Sequence, residues 1–220
     1  MKKFIIIISL ILSCVCPLQA QLTMEQFFVQ QLKQQLQINT ETRAALLEKY
    51  ISGKGNTLTL KGGATVSVLE YEEDSYLKIQ TSKQGTFTLK RWEGEKGSYF
   101  AMCWNICAPL CDAIVKVVRE DTTSKPYKYY NVSVPEIKIT DFVVADSLKE
   151  DGLTPEEFAN KLEMELINYE LPNGVKFVVS NNTPQFLDEQ RAKKYKKYWK
   201  KNDIVILFVD GEFLTAVPQN

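Results

Sequence analysis

The feature that most restricts the fold is a long run of residues, from 56 to 120, in which apolar side chains recur at every second position. Val66 with Val68 and Leu77 with Ile79 are two examples. This period is typical of strands with one buried face. We expect strands over residues 58–60, 64–70, 76–81, 85–92, 97–107 and 113–119. Turn-forming pairs separate them: Gly62-Gly63, Glu73-Asp74, Lys83-Gln84 and Glu95-Lys96. The pattern predicts a mostly antiparallel sheet.

Helical spacing precedes this region. The apolar residues between Thr23 and Lys49 recur at the three- and four-residue intervals of a helix. Asn39-Thr40 is expected to interrupt the helix, with Thr40 as the N-cap of its second part.

The second half mixes helix and strand signals. Thr154-Pro155-Glu156-Glu157 is a strong helix start, and we expect that helix to reach Tyr169. Thr183-Pro184 is expected to open another helix. Strands are predicted over 137–144 and 175–180, with a closing hairpin formed by residues 204–209 and 212–215. The predicted class is α+β, with an N-terminal helical segment on a curved, mostly antiparallel sheet and two further helices in the C-terminal half.

The first twenty residues have the pattern of a secretory signal peptide. Lys2 and Lys3 precede the apolar run Phe4–Leu12, and the small residue Ala20 precedes Gln21. We therefore predict residues 1–20 as a signal peptide and 21–220 as a single domain, with an alternative subdomain boundary near 120–126. The expected location is the periplasm or cell envelope, including association with the outer membrane.

A second processing route is open at the same end of the chain. Ile11-Leu12-Ser13-Cys14 resembles a lipobox, which would make Cys14 a lipidated N-terminus. A lipid would tether the domain to a membrane without spanning it. After Leu12 no apolar stretch is long enough for a membrane helix, so we expect no transmembrane span in the mature chain.

Charge and composition exclude several classes of function. The chain has 27 basic and 27 acidic residues, so removal of Lys2 and Lys3 leaves a net charge of about −2. Nucleic-acid binding needs a clear excess of positive charge on one face, so we expect no nucleic-acid partner. The chain has no histidine, which excludes Ser-His-Asp and Cys-His nucleophiles and zinc sites with histidine ligands. No glycine-rich phosphate loop appears either, and we predict no cofactor and no metal.

Three cysteines follow one another at intervals of four residues: Cys103, Cys107 and Cys111. In a strand, Cys103 and Cys107 would lie about 13 Å apart, too far for a bridge. Cys107 and Cys111 flank a short turn and could form a disulfide in an oxidising compartment. The alternatives are three small buried apolar residues, a metal site or a reactive thiol.

A lysine-rich segment near the C-terminus is a candidate binding surface. Its candidate residues are Lys193, Lys194, Lys196, Lys197 and Trp199. Interleaved lysines and aromatic residues can bind polyanions or an anionic membrane surface. The helical spacing of Leu187, Arg191 and Tyr195 favours another interpretation, in which the aromatic residues face the core and the lysines cover the wet side.

Two short triplets resemble the Asp-Ser/Thr-apolar sites that some envelope bacteria O-glycosylate. They are Asp121-Thr122-Thr123 and Asp146-Ser147-Leu148, with Thr122 and Ser147 as the acceptors. A sugar there would make the surface bulkier and more soluble.

Several segments together resemble a known family. They are Ala20-Gln21, Thr23-Met24-Glu25-Gln26-Phe27-Phe28, Asn39-Thr40-Glu41-Thr42-Arg43 and the hairpin Cys107-Ala108-Pro109-Leu110-Cys111-Asp112. The chain is similar to an uncharacterised family of exported Bacteroidales-type proteins, a domain of unknown function. The resemblance implies an envelope location and a compact α+β body, and it transfers no catalytic residue.

We expect a non-enzymatic binding module for an envelope partner protein or a surface glycan. Exposed aromatic residues would supply the contacts, and the candidates are Tyr71, Tyr76, Trp92, Tyr99, Trp104, Tyr127, Tyr129 and Tyr130. One alternative is a carboxylate-based glycan hydrolase, which needs two acidic side chains about 5 to 10 Å apart in a cleft. Another is a periplasmic inhibitor or assembly factor with a concave sheet.

Overall fold

A computed structural model describes residues 21–32, 36–108, 110–121 and 128–216. The predicted signal peptide, the alternative lipidation site Cys14, the acceptor Thr122 and the aromatic residue Tyr127 lie outside these residues. Within the described part of the chain, no helix is long and apolar enough to cross a membrane.

The first half of the chain forms one open antiparallel sheet of seven strands. Its strands pair in sequence order, and they are β1 (Thr57–Thr59), β2 (Thr65–Glu72), β3 (Tyr76–Gln80), β4 (Gly85–Gly94), β5 (Gly97–Cys107), β6 (Cys111–Asp121) and β7 (Lys128–Val132). Short turns join neighbours from β1 to β5, as expected for a meander. A register shift between Val68 and Glu70 in β2 leaves Leu69 unpaired and exposed, which is a β-bulge.

The N-terminal segment covers one face of this large sheet. It contains α1 (Met24–Gln26), a π-helical turn (Phe27–Gln31) and α2 (Thr40–Ile51). Phe27 stacks on Phe100 with ring centroids 4.0 Å apart. Leu46 packs into the same apolar cluster as Phe87 and Leu89 of β4. The apolar side of the helical segment and the apolar face of the sheet thus pack together in one buried layer.

The cap of α2 differs from the prediction. The side chain of Asn39, rather than that of Thr40, accepts a hydrogen bond of 2.8 Å from the Thr42 amide. Asn39 has extended backbone angles, which the N-cap position requires, whereas Thr40 is already helical. The predicted cap was therefore placed one residue late.

A second open sheet covers part of the opposite face. Its strands lie in the order β11-β10-β9-β8, with β8 (Ile167–Glu170), β9 (Lys176–Asn181), β10 (Ile204–Val209) and β11 (Glu212–Ala216). Trp92 of β4 stacks on Phe208 with centroids 4.6 Å apart and meets the edge of Phe177 at 5.6 Å. Edge strand β8 packs against β5 and β6. The α+β class is confirmed.

Short helices fill the end of the second sheet. They are α3 (Ala145–Glu150), α4 (Pro155–Ala159) and α5 (Glu189–Tyr195), with 3₁₀ turns at Ile139–Phe142, Thr183–Phe186 and Lys196–Tyr198. The capping box predicted at Thr154 is present. Phe158 lies at the centre of a small apolar cluster with Tyr195 and Tyr198.

Three element predictions in this half are wrong. The α-helix expected to open at Thr183-Pro184 begins at Glu189, with Asp188 as its N-cap, after a 3₁₀ turn at Thr183–Phe186. Residues 137–144 form no strand, because Asp141 accepts from the Lys138 amide at 2.8 Å and closes a 3₁₀ turn. The helix that begins at Pro155 ends at Ala159 and does not reach Tyr169. Tyr169 lies in β8, where pairing with Val179 of β9 outweighs the helical spacing.

Candidate functional site

The second sheet leaves part of the large sheet uncovered. On β3 and β4 the side chains that face away from the N-terminal helices include Lys78, Thr86 and Thr88, which pair across strands or lie beside each other. Strand β8 and the loop after it lie beside these three side chains. The result is a polar cleft where the two sheets meet, which we call the sheet-junction cleft.

The sheet-junction cleft has a volume of about 270 Å³. Its lining residues are Glu70, Tyr76, Lys78, Thr86, Thr88, Asn105, Cys107, Cys111, Asn168, Glu170, Leu171, Pro172 and Asn173. Most of these side chains carry hydrogen-bonding groups. A larger depression of about 550 Å³ lies between α2 and β1, but its lining side chains are mostly exposed. We place the candidate site in the cleft because polar groups converge there from both sheets.

Asn105 fixes the floor of the cleft to strand β8. Its amide nitrogen donates to the Tyr169 carbonyl at 2.7 Å and to Asn168 Oδ1 at 3.1 Å. The buried Cys103 thiol lies beneath, within 3.1 Å of Asn105 Oδ1 and 3.3 Å of the Tyr169 carbonyl. These bonds hold the two sheets at one separation, so the cleft is pre-formed.

The loop between β8 and β9 forms one wall and is tied to the large sheet. Lys90 Nζ donates to Asn173 Oδ1 at 2.7 Å, and Trp92 Nε1 donates to the Gly174 carbonyl at 2.8 Å. The hydroxyl of Tyr76 donates to the Leu171 carbonyl at 3.2 Å. Three residues of the loop, Leu171, Asn173 and Gly174, are thus hydrogen-bonded to the large sheet.

Burial shifts the pKa values of the groups behind this wall. Lys90 is almost fully buried, and desolvation lowers the pKa of its ammonium group. Desolvation raises the pKa of Tyr76 to about 12 and that of Cys103 to about 12. At neutral pH the Cys103 thiol is therefore protonated and is a poor nucleophile.

Cys107 and Cys111 are joined by a disulfide at one end of the cleft. They are directly opposite each other at the end of the β5–β6 hairpin, with Cα atoms 3.9 Å apart. Cys103 is a free, buried cysteine. The bond closes the end of the hairpin that lines the cleft.

Two carboxylates lie on opposite sides of the cleft. Glu70 is exposed and forms an ion pair of 3.6 Å with Lys78, while Glu170 is exposed at the end of β8. Neither lies in the apolar environment that a general acid requires. Among the described residues no group of three or more acidic or cysteine side chains is arranged to hold a metal ion.

The lysine-rich segment lies elsewhere, on α5 and the 3₁₀ turn after it. Lys193, Lys194, Lys196 and Lys197 are exposed, and Lys197 forms an ion pair with Asp151. Trp199 is half-buried and packs against Phe158 with centroids 5.1 Å apart. The lysines thus form a surface without an exposed aromatic partner from this segment.

The remaining sequence candidates are scattered. Ser147 is half-buried in α3. Tyr76, Trp92 and Tyr99 are core residues, whereas Tyr130 is exposed. Tyr71, Trp104 and Tyr129 are half-buried, so most of the aromatic candidates serve packing.

Sequence reasoning did not find the polar residues of the cleft. Thr86 and Thr88 occupy alternate positions of β4, a pattern that indicates only a face away from the apolar core. Asn168 is buried in β8, a segment that was predicted as helix. A buried asparagine in a strand would have been the signal, because buried amides need partners.

Comparison with known proteins identifies the family. A family profile described as "Protein of unknown function (DUF3256)" matches residues 16–213. The chain belongs to this family. A comparison with curated proteins returns no match.

DUF3256 membership confirms the expectation of a domain of unknown function. The fold also resembles a solved structure described as a domain of an uncharacterized protein from Porphyromonas gingivalis W83. The TM-score is 0.68 and the identity 16%, with 87% of this chain and 98% of that chain covered. At this identity the similarity establishes the fold of this DUF3256 protein and nothing further.

Proposed function

We propose that this DUF3256 protein is an exported envelope protein, without enzymatic activity, whose sheet-junction cleft binds a glycan. The observation that carries the proposal is the lining of the cleft, where hydroxyl, amide and charged groups converge against fixed backbone. The signal-peptide pattern of residues 1–20 supports the location. The predicted compartment is the periplasm or the envelope, where glycans are abundant.

The lining suits a neutral polyhydroxylated ligand. The half-buried Thr86 hydroxyl can donate and accept a hydrogen bond, and Glu70, Glu170 and Lys78 add charged groups with a net charge of −1. Sugar hydroxyls also donate and accept, and therefore match such a mixture. The volume of about 270 Å³ is just below the usual range for small ligands, so we expect the cleft to take a terminal sugar or one ring of a chain.

A glycan hydrolase is the second candidate, because Glu70 and Glu170 both line the cleft. Such an enzyme needs one carboxylic acid that stays protonated in an apolar pocket. Both side chains are exposed, which favours binding over hydrolysis. A partner protein would need a broader surface than this cleft, and we keep it as an outcome of the test.

The test is a binding screen of the mature protein against oligosaccharide fragments of bacterial envelope glycans. A hit is followed by calorimetric titration of Thr86→Val, which removes one hydroxyl from the cleft, and of Thr65→Val, an exposed control outside it. We expect Thr86→Val to weaken binding about tenfold, the effect of one lost hydrogen bond. Thr65→Val should leave the affinity unchanged.

Three outcomes would contradict the proposal. Release of reducing ends by the wild type but not by Glu170→Gln would make the protein a hydrolase. Equal binding by both threonine variants would place the glycan elsewhere. Capture of an envelope protein without any glycan hit would favour the protein-partner alternative.

A further inference from the structure

A buried carboxylate lies next to the start of the described chain. Glu120, near the end of β6, is 1% exposed. The Leu22 amide is 3.4 Å from each of its two carboxylate oxygens. Both distances exceed the usual 2.9–3.0 Å of an amide hydrogen bond, and the structure shows no further hydrogen bond to this carboxylate from the described residues.

The surroundings of Glu120 contain more negative than positive charge. Arg91 attracts the Glu120 carboxylate and Glu93 repels it, and the Arg91 guanidinium forms ion pairs with Asp74 and with Glu93, the latter at 2.6 Å. The same guanidinium donates to Gln21 Oε1 at 3.2 Å. Three carboxylates therefore share one arginine, which leaves Glu120 without a cation of its own.

We infer that the α-ammonium group of Gln21, created when residues 1–20 are removed, forms an ion pair with the carboxylate of Glu120. This inference rests on the cleavage that is part of the proposed function. Hydrolysis of the Ala20–Gln21 peptide bond adds water, leaves a carboxylate on Ala20 and frees the amine of Gln21. That amine binds a proton at neutral pH, since an α-amino group has an ordinary pKa of about 8.

The geometry allows the contact. One residue of chain spans at most about 3.6 Å, so the Gln21 nitrogen lies close to Leu22, whose amide already faces Glu120. The contact between the Gln21 side chain and Arg91 holds this residue beside the carboxylate. Gln21 itself is exposed, so solvent reaches this end of the site.

The pairing makes removal of the signal a stabilising step. Before cleavage, Glu120 has only an amide as partner, and a buried charge without a counter-ion is unfavourable. After cleavage, a mobile ammonium group supplies the missing cation. The folded body therefore becomes more stable when the amino terminus is Gln21 than when residues precede it.

The experiment compares four proteins in a double-mutant cycle. One pair begins at residue 21 and the other carries two extra glycines before it, each with Glu120 or with Glu120→Gln. All four carry Gln21→Asn, because an N-terminal glutamine can cyclise and lose its charge, whereas asparagine keeps a side-chain amide oxygen for Arg91. Thermal unfolding at pH 7 is the measurement.

We expect Glu120→Gln to lower the unfolding midpoint of the protein that begins at residue 21 by about 4 °C. In the glycine-extended protein the same substitution should leave the midpoint unchanged or raise it, because it removes an uncompensated charge. An equal effect in both pairs would overturn the inference. Should Glu120→Gln fail to fold in both pairs, the α-amino pKa of the protein that keeps Glu120 decides: a raised value supports the pairing and an ordinary value overturns it.

Titration of the α-amino group by nitrogen NMR provides an independent readout. A pKa above the ordinary value of about 8 in the Glu120 protein, and a return to that value in Glu120→Gln, would support the pairing. An ordinary value in both proteins would overturn it. The mass of the native protein tests cleavage separately: a start at Gln21 supports it, and a lipidated Cys14 overturns both the cleavage and the native pairing.

Discussion

Lys90 Nζ donates a hydrogen bond of 2.7 Å to Asn173 Oδ1, and this bond joins the large sheet to the loop that forms a wall of the cleft. The same ammonium donates to Ser75 Oγ at 2.7 Å. Asn173 in turn donates to Glu72 at 2.6 Å. One buried cation thereby organises side chains from β2, the β2–β3 turn and the β8–β9 loop.

Replacement of Lys90 by methionine should loosen this wall. The variant keeps an apolar stem of similar length but loses two charge-assisted hydrogen bonds, while it also avoids burial of a charge. We expect a net loss of about 1–2 kcal/mol in the free energy of unfolding. Hydrogen exchange should become faster at residues 173–176. Unchanged exchange in Lys90→Met would mean that other contacts hold the loop. The control is Lys96→Met, because Lys96 is exposed.

Tyr76 should make the protein sensitive to alkaline pH. Its pKa is about 12 in the folded state and about 10 in the unfolded state. Between these values the folded chain keeps a proton that the unfolded chain has lost, so the free energy of unfolding falls as the pH rises through this window. Denaturant titrations from pH 9 to 12 measure this loss. The free energy of unfolding of Tyr76→Phe should fall by about 2 kcal/mol less over this range than that of the wild-type protein. Parallel curves for both proteins would contradict this.

Thiol labelling of a protein that begins at residue 21 should distinguish its three cysteines. Cys103 is buried and protonated, while Cys107 and Cys111 are bonded. Iodoacetamide should add no label to the folded protein, one after unfolding, and three after unfolding with reduction. Cys103→Ala should take no label until reductant is present. Three labels on unfolded, unreduced protein would show that the disulfide is absent.

Arg43 should be essential for the N-terminal segment. Its fully buried guanidinium donates to the carbonyls of Val29 at 2.6 Å, Leu32 at 3.3 Å and Ile38. Arg43→Ala removes the guanidinium donors from these carbonyls, although Leu32 keeps a backbone donor, the Leu36 amide at 3.4 Å, and should cost about 3–5 kcal/mol of unfolding free energy.

A lysine at position 43 should not stabilise the N-terminal segment as Arg43 does. A single ammonium group cannot match the planar fork that reaches several carbonyls at once, so Arg43→Lys should also be destabilised. Glu48→Gln, an exposed position on the same helix, should change stability by less than about 0.5 kcal/mol. A stable Arg43→Lys protein, measured by urea unfolding, would contradict this account.

The sequence predicts β1 to β6 of the large sheet because these strands are local neighbours, but it does not predict β7 (Lys128–Val132). Alternation at Phe87 and Leu89 marks the buried face, and short turns at positions such as Glu73-Asp74 fix which strands pair. Each pairing in a meander involves only adjacent segments. No long-range information is needed to derive β1 to β6.

The cleft could not be derived in the same way. It exists because β8 lies against β5, and the bond from Asn105 to Tyr169 joins residues 64 positions apart. The segment around Tyr169 has helical spacing, and only the pairing with β9 makes it a strand. Tertiary contacts thus determine both that residues 167–170 form a strand and where the sheet-junction cleft lies.

Chemical-shift mapping of the isotope-labelled mature protein tests the central proposal most directly. A glycan fragment that binds should shift amide signals at Thr86, Thr88, Asn105 and Asn168, and Thr86→Val should reduce those shifts at equal glycan concentration. Shifts confined to Lys193, Lys194 and their neighbours, with no change at the cleft, would contradict the account and place the binding surface on α5.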